Sequence, residues 1–436
     1  MSIEWLTVIM FLALLVALYL GHPLSIVLGG TAIFFTLIIW GPKGLYMAAT
    51  TSLASAMNET LLSVPLFVFM GTMLQASGIA EDLYDIMYRS IGRVRGGLAV
   101  GTVIICTIFA AMAGISAVAT ITMGIIALPS MLKRGYDKHL ALGCIAAGGA
   151  LGILIPPSVP MILYALLARE SVGKLFAGGF LPGFLLSGIL IAYILILCWI
   201  KPHMAPAIPP EERTRGQSLL KSFKAVFWSI LLIVLVLGTI YSGACTPTEA
   251  AGAGALGSVL AVVLNRKFTW NTFASAIHST FRLTAMVMWI VIGSSCFSHI
   301  FNAAGSQDLV TNLLANLPGG RWAVFCFFQL IYFILGMLLD PTGIVMICTP
   351  IFVPVITKLG FDPVWFGVTF IVNMEMAYLT PPFGYNLFYL RSIAPEGVQM
   401  SDIYRSVVPF IVLQMLCLIL VSIFPEIILW LPRKLV

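Results

Sequence analysis

Ten stretches of this chain stay apolar for about the length of a membrane crossing, and nothing else in the sequence confines the fold as much. A spanning helix needs roughly 20 predominantly apolar residues. Candidate spans lie near 5–20, 24–40, 61–77, 140–167, 176–200, 225–242, 247–264, 283–303, 364–390 and 406–430. In hydrocarbon every backbone N–H and C=O must find a partner within the protein. An all-α polytopic membrane protein is therefore predicted. Composition agrees: of 436 residues, 60% are hydrophobic and 9% charged, where soluble domains carry roughly 25% charged residues. The start, Met1 to Leu20, has Glu4 in place of a basic n-region and no small-residue cleavage site, so it reads as an uncleaved first span.

Two further apolar stretches, about 98–130 and 322–355, are too long for one crossing and are interrupted near their middles. Ala113-Gly114-Ile115-Ser116 breaks the first and Asp340-Pro341-Thr342-Gly343 the second. Both are predicted to be re-entrant helical hairpins, because an irregular tip at membrane depth must be buried in protein or line a cavity. The polar, proline-rich segment Lys201 to Lys224 is predicted to be a linker. It divides the chain into 1–200, with a hairpin and a broken helix at about 140–167, and 225–436, with a hairpin and a broken helix at about 364–390.

The halves resemble each other. At an offset of 225, Pro129 to Tyr164 matches its counterpart at eight of 36 positions, including Pro129, Lys133, Gly135, Asp137, Pro156 and Pro157. Ordinary residue usage gives roughly two or three. Leu53 to Thr60 also matches Phe273 to Thr280 at an offset of 220. Five spans and one hairpin per half is an odd number of crossings, so the second repeat is inverted. Placing the linker in the cytoplasm puts 16 of the 23 basic residues inside, as the positive-inside bias requires. Both termini then lie outside, as do Lys43, Arg169 and Arg321.

The Pro-Pro pairs carry the strongest chemical signal. Proline lacks an N–H and disrupts the preceding turn. Pro156 and Pro157 release the carbonyls of Gly152 and Ile153, and Pro381 and Pro382 those of Ala377 and Tyr378. Carbonyl oxygens freed at membrane depth suit a hard cation such as Na⁺. The hairpin tips add oxygens from Gly114, Ser116 and Thr120, and from Asp340, Thr342 and Gly343. A short helix starting at each tip presents free N–H groups to an anion. Ser116, Ser158, Thr342, Gly384 and Asn386 are candidate substrate contacts. Each hydroxyl or amide alone is more commonly a helix-packing group. Asp340 and Glu375 are carboxyls at membrane depth, open to Na⁺, a proton or internal pairing; such a group costs about 3 kcal/mol to insert. Asp82 to Arg93 and Gln307 to Leu317 are amphipathic and precede the hairpins, so they read as interfacial arms.

Other chemistries have no footing. The eight cysteines are scattered with no CxxC pair, and no HExxH, GxxxxGKS or GxSxG motif occurs. A net charge of +6 without a basic arm gives no nucleic-acid surface. No catalytic constellation is visible, so the chain is not expected to be an enzyme and needs no organic cofactor.

Gly152-Ile-Leu-Ile-Pro-Pro-Ser-Val-Pro160, Cys245-Thr-Pro-Thr-Glu-Ala-Ala251 and Leu379-Thr-Pro-Pro-Phe-Gly-Tyr-Asn-Leu387 resemble the large, DctM-like membrane subunit of the tripartite ATP-independent periplasmic (TRAP) transporters. The resemblance runs through essentially the whole chain. It implies a sodium-driven elevator carrier of the ion-transporter superfamily, importing a small organic anion across the bacterial inner membrane. Hairpins and broken helices would form the moving domain. A separate small four-helix membrane subunit and a periplasmic substrate-binding protein would be its partners. Two or more Na⁺ sites are implied. One maps onto Gly114, Ile115 and Ser116 with Gly148, Gly152, Ile155 and Pro156. The other maps onto Asp340, Thr342 and Gly343 with Glu375, Ala377, Thr380 and Pro381. A stand-alone divalent-anion/sodium symporter of similar architecture is the main alternative, although neither tip carries the Ser-Asn-Thr typical of those proteins.

Overall fold

A computed structural model describes residues 2–75, 78–207, 219–315 and 318–435. The central part of the expected linker, 208–218, lies outside the described residues. Within them the chain is helical throughout, with short 3₁₀ turns and no strand.

The same order of elements occurs twice. The first half opens with Ile3–Tyr19 and Leu24–Trp40, then a pair bent by 49°, Pro42–Ala56 and Glu59–Gln75. The arm Ile79–Ile91 leads to the first hairpin, Gly97–Ala113 and Ser116–Lys133. The first broken helix follows, Lys138–Ala150 and Val159–Ala168, then the long helix Val172–Ile200. The second half runs Leu219–Tyr241, Pro247–Leu264, Trp270–Ala303 and the arm Ser306–Ala315. The second hairpin is Gly320–Gly336 and Pro341–Lys358, and the second broken helix Pro363–Ala377 and Tyr385–Ile393. Met400–Ile423 and Glu426–Leu435 close the chain.

Both hairpins break where the sequence places the interruption. Three expected spans have different bounds. The 61–77 run is the second arm of the bent pair. The 283–303 run is the latter part of a 34-residue helix. The 406–430 run divides at Phe424-Pro425. The additional helical segments, Leu45–Ala56 and the first turns of Trp270–Ala303, are rich in Thr and Ser and include His278 and Arg282. They are too polar to register as apolar runs. Among the described residues six helices are long and apolar enough to cross a bilayer, or seven with the bent pair as one span.

The repeated Gly-x-Asp motif has a local physical cause. Gly135 and Gly360 take left-handed φ values of 75° and 78° and end the hairpin helices, a conformation that a side chain disfavours. Two residues later Asp137 and Asp362 cap the broken helices, accepting from Leu140 N at 3.0 Å and from Val364 N at 2.8 Å. The Thr-Pro-Thr-Glu stretch is also a cap. Thr246 and Glu249 form a reciprocal capping box with Pro247 in the first turn.

The first broken helix is the centre of the molecule, buried from Leu140 to Ala165. Glycines let neighbours approach it. Gly143 lies under Phe410, and Gly367 under the ring of Tyr164, whose hydroxyl donates to Pro363 O at 2.7 Å. Peripheral helices turn large apolar side chains outward, among them Trp5, Leu12, Phe34 and Trp199, as lipid contact requires. Gly367→Val should therefore drive its new atoms into Tyr164 and lower stability by about 1–3 kcal/mol. Gly252→Ala, with nothing within 4 Å of the added carbon, should leave it unchanged or slightly raised. Thermal unfolding of the detergent-solubilised protein separates the two.

Candidate functional site

Each hairpin tip meets the break of its own repeat. In the first, the chain leaves Ala113 through Gly114, whose φ of 65° ends the helix, and restarts at Ser116. An added carbon on Gly114 would strike the Pro157 carbonyl, and one on Gly152 would stand 2.9 Å from the Ile115 carbonyl oxygen. Backbone thus presses on backbone at Gly114–Ser116 and Gly152–Pro157. Gly148 packs on Cys106, and Gly149 leaves room only for the Thr120 hydroxyl. Ile155 is fully buried and lies against Gly183 of the long helix.

The freed carbonyls are partly reclaimed. Ser158 caps Val159–Ala168 and its hydroxyl donates to Ile153 O at 2.5 Å. Thr380 N donates to Ala377 O at 3.0 Å. Each carbonyl keeps a second lone pair. Thr120 Oγ1 is buried with no hydrogen-bond partner. An orphaned hydroxyl beside packed carbonyls suits a Na⁺ ion, which takes oxygen donors. The first site therefore fits the cation that the resemblance implies.

The second tip is built differently. Asp340 caps Pro341–Lys358 by accepting from Thr342 N at 3.1 Å. Its carboxyl interacts electrostatically with the phenol groups of Tyr378, Tyr385 and Tyr389, which flank the second break. Tyr378 and Tyr385 stack with ring centres 5.7 Å apart. These tyrosines were not singled out by the sequence; their place on both sides of Pro381-Pro382 was the available signal. Gly343 packs on Leu24, Gly336 on Ala377, and the Thr380 hydroxyl donates to Met376 O at 2.8 Å. Gly384, at φ 44°, starts the helix Tyr385–Ile393. Both Pro-Pro peptide bonds are cis.

Two polar residues join the repeats. Asn386 accepts from the Ser116 hydroxyl and donates to Ala146 O at 3.0 Å. Ser116, Asn386 and Ser158 are all buried and all hydrogen-bonded within the protein. Glu375 is fully buried in Pro363–Ala377, and both its carboxyl oxygens lack a hydrogen-bond partner. The two sites also differ in access: Leu151 to Ser158 is buried throughout, whereas Pro382 and Phe383 are exposed.

Residues 11–427 match the family described as the tripartite ATP-independent periplasmic transporter, DctM component. The chain belongs to this family. It is similar to the C4-dicarboxylate TRAP transporter large permease protein DctM of Pseudomonas aeruginosa, 33% identical over 91% of this chain and 92% of that protein. It is also similar to the sialic acid TRAP transporter large permease protein SiaM of Vibrio cholerae, 30% identical over 95% of this chain and 96% of the other. The YdaH transporter of Alcanivorax borkumensis has the same fold, with a TM-score of 0.67 at 13% identity, over 95% of this chain and 98% of that one. This TRAP large permease is thus a multi-pass transporter subunit rather than an enzyme.

Gly114→Ala combines a left-handed backbone, which disfavours a side chain by roughly 1–2 kcal/mol, with a collision against the Pro157 carbonyl. It should cut uptake by the reconstituted permease to about a tenth or less. Gly135→Ala, left-handed but open, should keep most uptake. The comparison of initial uptake rates in proteoliposomes, at matched protein incorporation, checks the tip contact.

Proposed function

We propose that this large permease imports a small organic anion, a carboxylate, sugar acid or sulfonate, across the bacterial inner membrane at the expense of a Na⁺ gradient. The observation that carries the proposal is the packing of the first hairpin tip, Gly114–Ser116, onto the first break, Gly152–Pro157. It gathers backbone carbonyls, the orphaned Thr120 hydroxyl and the start of the helix Ser116–Lys133 in one place. Carbonyls and hydroxyls serve a hard cation, and a helix start serves an anion.

Na⁺ supplies the driving force when bound. The residues proposed to hold it are Gly114, Ile115, Ser116 and Thr120 with Gly148, Gly152 and Ile155 in one repeat. In the other they are Asp340, Thr342 and Gly343 with Ala377 and Thr380. Ser116 and Asn386 already bond each other, so substrate contact at this level requires them to exchange partners. Hairpins and broken helices would move together past the remaining helices as an elevator. The arms Ile79–Ile91 and Ser306–Ala315 support this reading, since each joins a scaffold helix to a hairpin. A periplasmic binding protein would deliver the anion, and a small four-helix membrane subunit would complete the complex. The termini are placed outside and the linker inside.

In proteoliposomes with the small subunit and the cognate binding protein, uptake should collapse when the Na⁺ gradient is removed. Uptake that persists unchanged would refute sodium coupling. A single cysteine in the linker should react with an impermeant thiol reagent only from the cytoplasmic side, and labelling from outside would reverse the topology.

A further inference from the structure

Two clefts lie between the outer helices and the hairpin domain, and the internal repeat relates them. The larger, about 690 Å³, is walled by one face of Leu45–Ala56 and by the last turns of Trp270–Ala303. The smaller, about 360 Å³, is walled by the end of Glu59–Gln75 and by the first turns of Trp270–Ala303. The offset of 220 pairs Ser55 of the larger with Ser275 of the smaller, and Ser295 with Gln75. The offset of 225 pairs Pro350 with Ile125. Ser279 and Ser298 stand at the two ends of one helix. Their 19-residue separation is about 30 Å of rise, the thickness of the hydrocarbon core. The clefts therefore lie toward opposite ends of that helix, about a bilayer's thickness apart.

Their charge differs where their geometry corresponds. The larger holds Arg169 and no carboxylate. Arg169 is the left-handed C-cap of Val159–Ala168, is exposed, and has no ion pair among the described residues. Arg169 also lines a neighbouring recess together with Glu59, Glu170 and Glu249, none of which comes into ion-pair contact with it. Facing Arg169 across the cleft, Thr51, Ser55, Ser298 and Asn302 carry polar groups with no hydrogen bond inside the protein among the described residues. The smaller cleft has Glu81 and no cation in its lining, and Lys267, paired with Asp82, stands beside Glu81 next to Gly78. The repeat does not produce this contrast, since the counterparts of Arg169 and Glu81 are Ala394 and Phe301.

A guanidinium that forms no ion pair among the described residues, in a cleft with free hydroxyl and amide groups, can attract and orient a carboxylate or sulfonate. The helix that ends at Arg169 begins at Ser158, beside the first hairpin tip; its ten residues span about 15 Å. We propose that the larger cleft is an anion-collecting vestibule. In it Arg169 and the hydroxyl-bearing scaffold faces hold the substrate's anionic group before it reaches the hairpin tips. The smaller cleft, with Glu81, is the exit that repels the same anion. The assignment of entrance and exit rests on the import reading above; the charge selectivity of each cleft does not.

The test uses reporter cysteines in the reconstituted permease, with exposed Cys326 and half-buried Cys245 replaced by serine and the buried cysteines kept. Ser298→Cys reports the larger cleft and Ser279→Cys the smaller. Each is reacted with a sulfonate-bearing and a trimethylammonium-bearing methanethiosulfonate, and the rate ratio is normalised to that of free cysteine. Arg169→Gln should lower the anion preference at Ser298→Cys by roughly three- to tenfold, the effect of one nearby charge in a solvated cleft. Arg169→Lys should preserve it, and Glu81→Gln should raise the anion preference at Ser279→Cys. A ratio at Ser298→Cys indifferent to Arg169→Gln, or no reaction there with either reagent, overturns the vestibule. Because labelling needs no Na⁺ gradient and no transported substrate, its failure is distinct from a failure of sodium coupling.

Discussion

A carbonyl without a partner in hydrocarbon costs several kcal/mol, and the rest of this molecule is arranged around that cost. Two helices at the centre are broken by Pro-Pro, and each break would be intolerable if it faced lipid. The first is covered by a hairpin that is itself broken at its tip, while the second is left partly exposed at Pro382 and Phe383. The first break and that tip face one another: Gly114 lies against Pro157, and Gly152 against Ile115. Part of what the prolines release is taken up by the Ser158 hydroxyl on Ile153 and by the backbone amide of Thr380 on Ala377. What remains at the first break is a set of backbone and hydroxyl oxygens in a buried interior.

The positions of these defects were legible in the sequence because they depend on residues with few alternative uses. Gly114 is left-handed, Asp340 precedes a proline and caps a helix, and the Gly-x-Asp anchors set both hairpin-to-helix turns. Their mutual contacts were not legible. Asn386 bridges Ser116 and Ala146 across more than 200 residues of sequence, and no local pattern specifies such a pairing. The tyrosines around Asp340 escaped notice because aromatic residues are common in apolar spans. The carboxyl of Glu375 at membrane depth was conspicuous in the sequence, but that both its oxygens would lie buried without a hydrogen-bond partner was not. The polar helix Leu45–Ala56 escaped because its face is hydroxyl-rich, and that same face lines the larger cleft.

The two halves share a plan without sharing chemistry. The first site is neutral and sealed, built from glycine, carbonyl and hydroxyl. The second carries the Asp340 carboxyl, the stacked Tyr378 and Tyr385 beside its break, and exposed Phe383. An inverted repeat gives a transporter two related half-sites, and sequence divergence lets them take different partners. Membership of the family fixes the transporter role and leaves the substrate open, since relatives named for C4-dicarboxylates and for sialic acid match at similar identity.

The scaffold posts that carry the clefts also differ. The first is jointed, bent by 49° between Ala56 and Glu59; its counterpart, Trp270–Ala303, runs for 34 residues without interruption. An inserted residue turns a continuous helix by about 100°. In the unbroken post such an insertion would swing one cleft's lining away while the other stayed in place. In the jointed post the non-helical residues at the bend can absorb it. Length variation is thus tolerated at one post and forbidden at the other, so the unbroken helix acts as the ruler that keeps the two mouths of the transporter in phase.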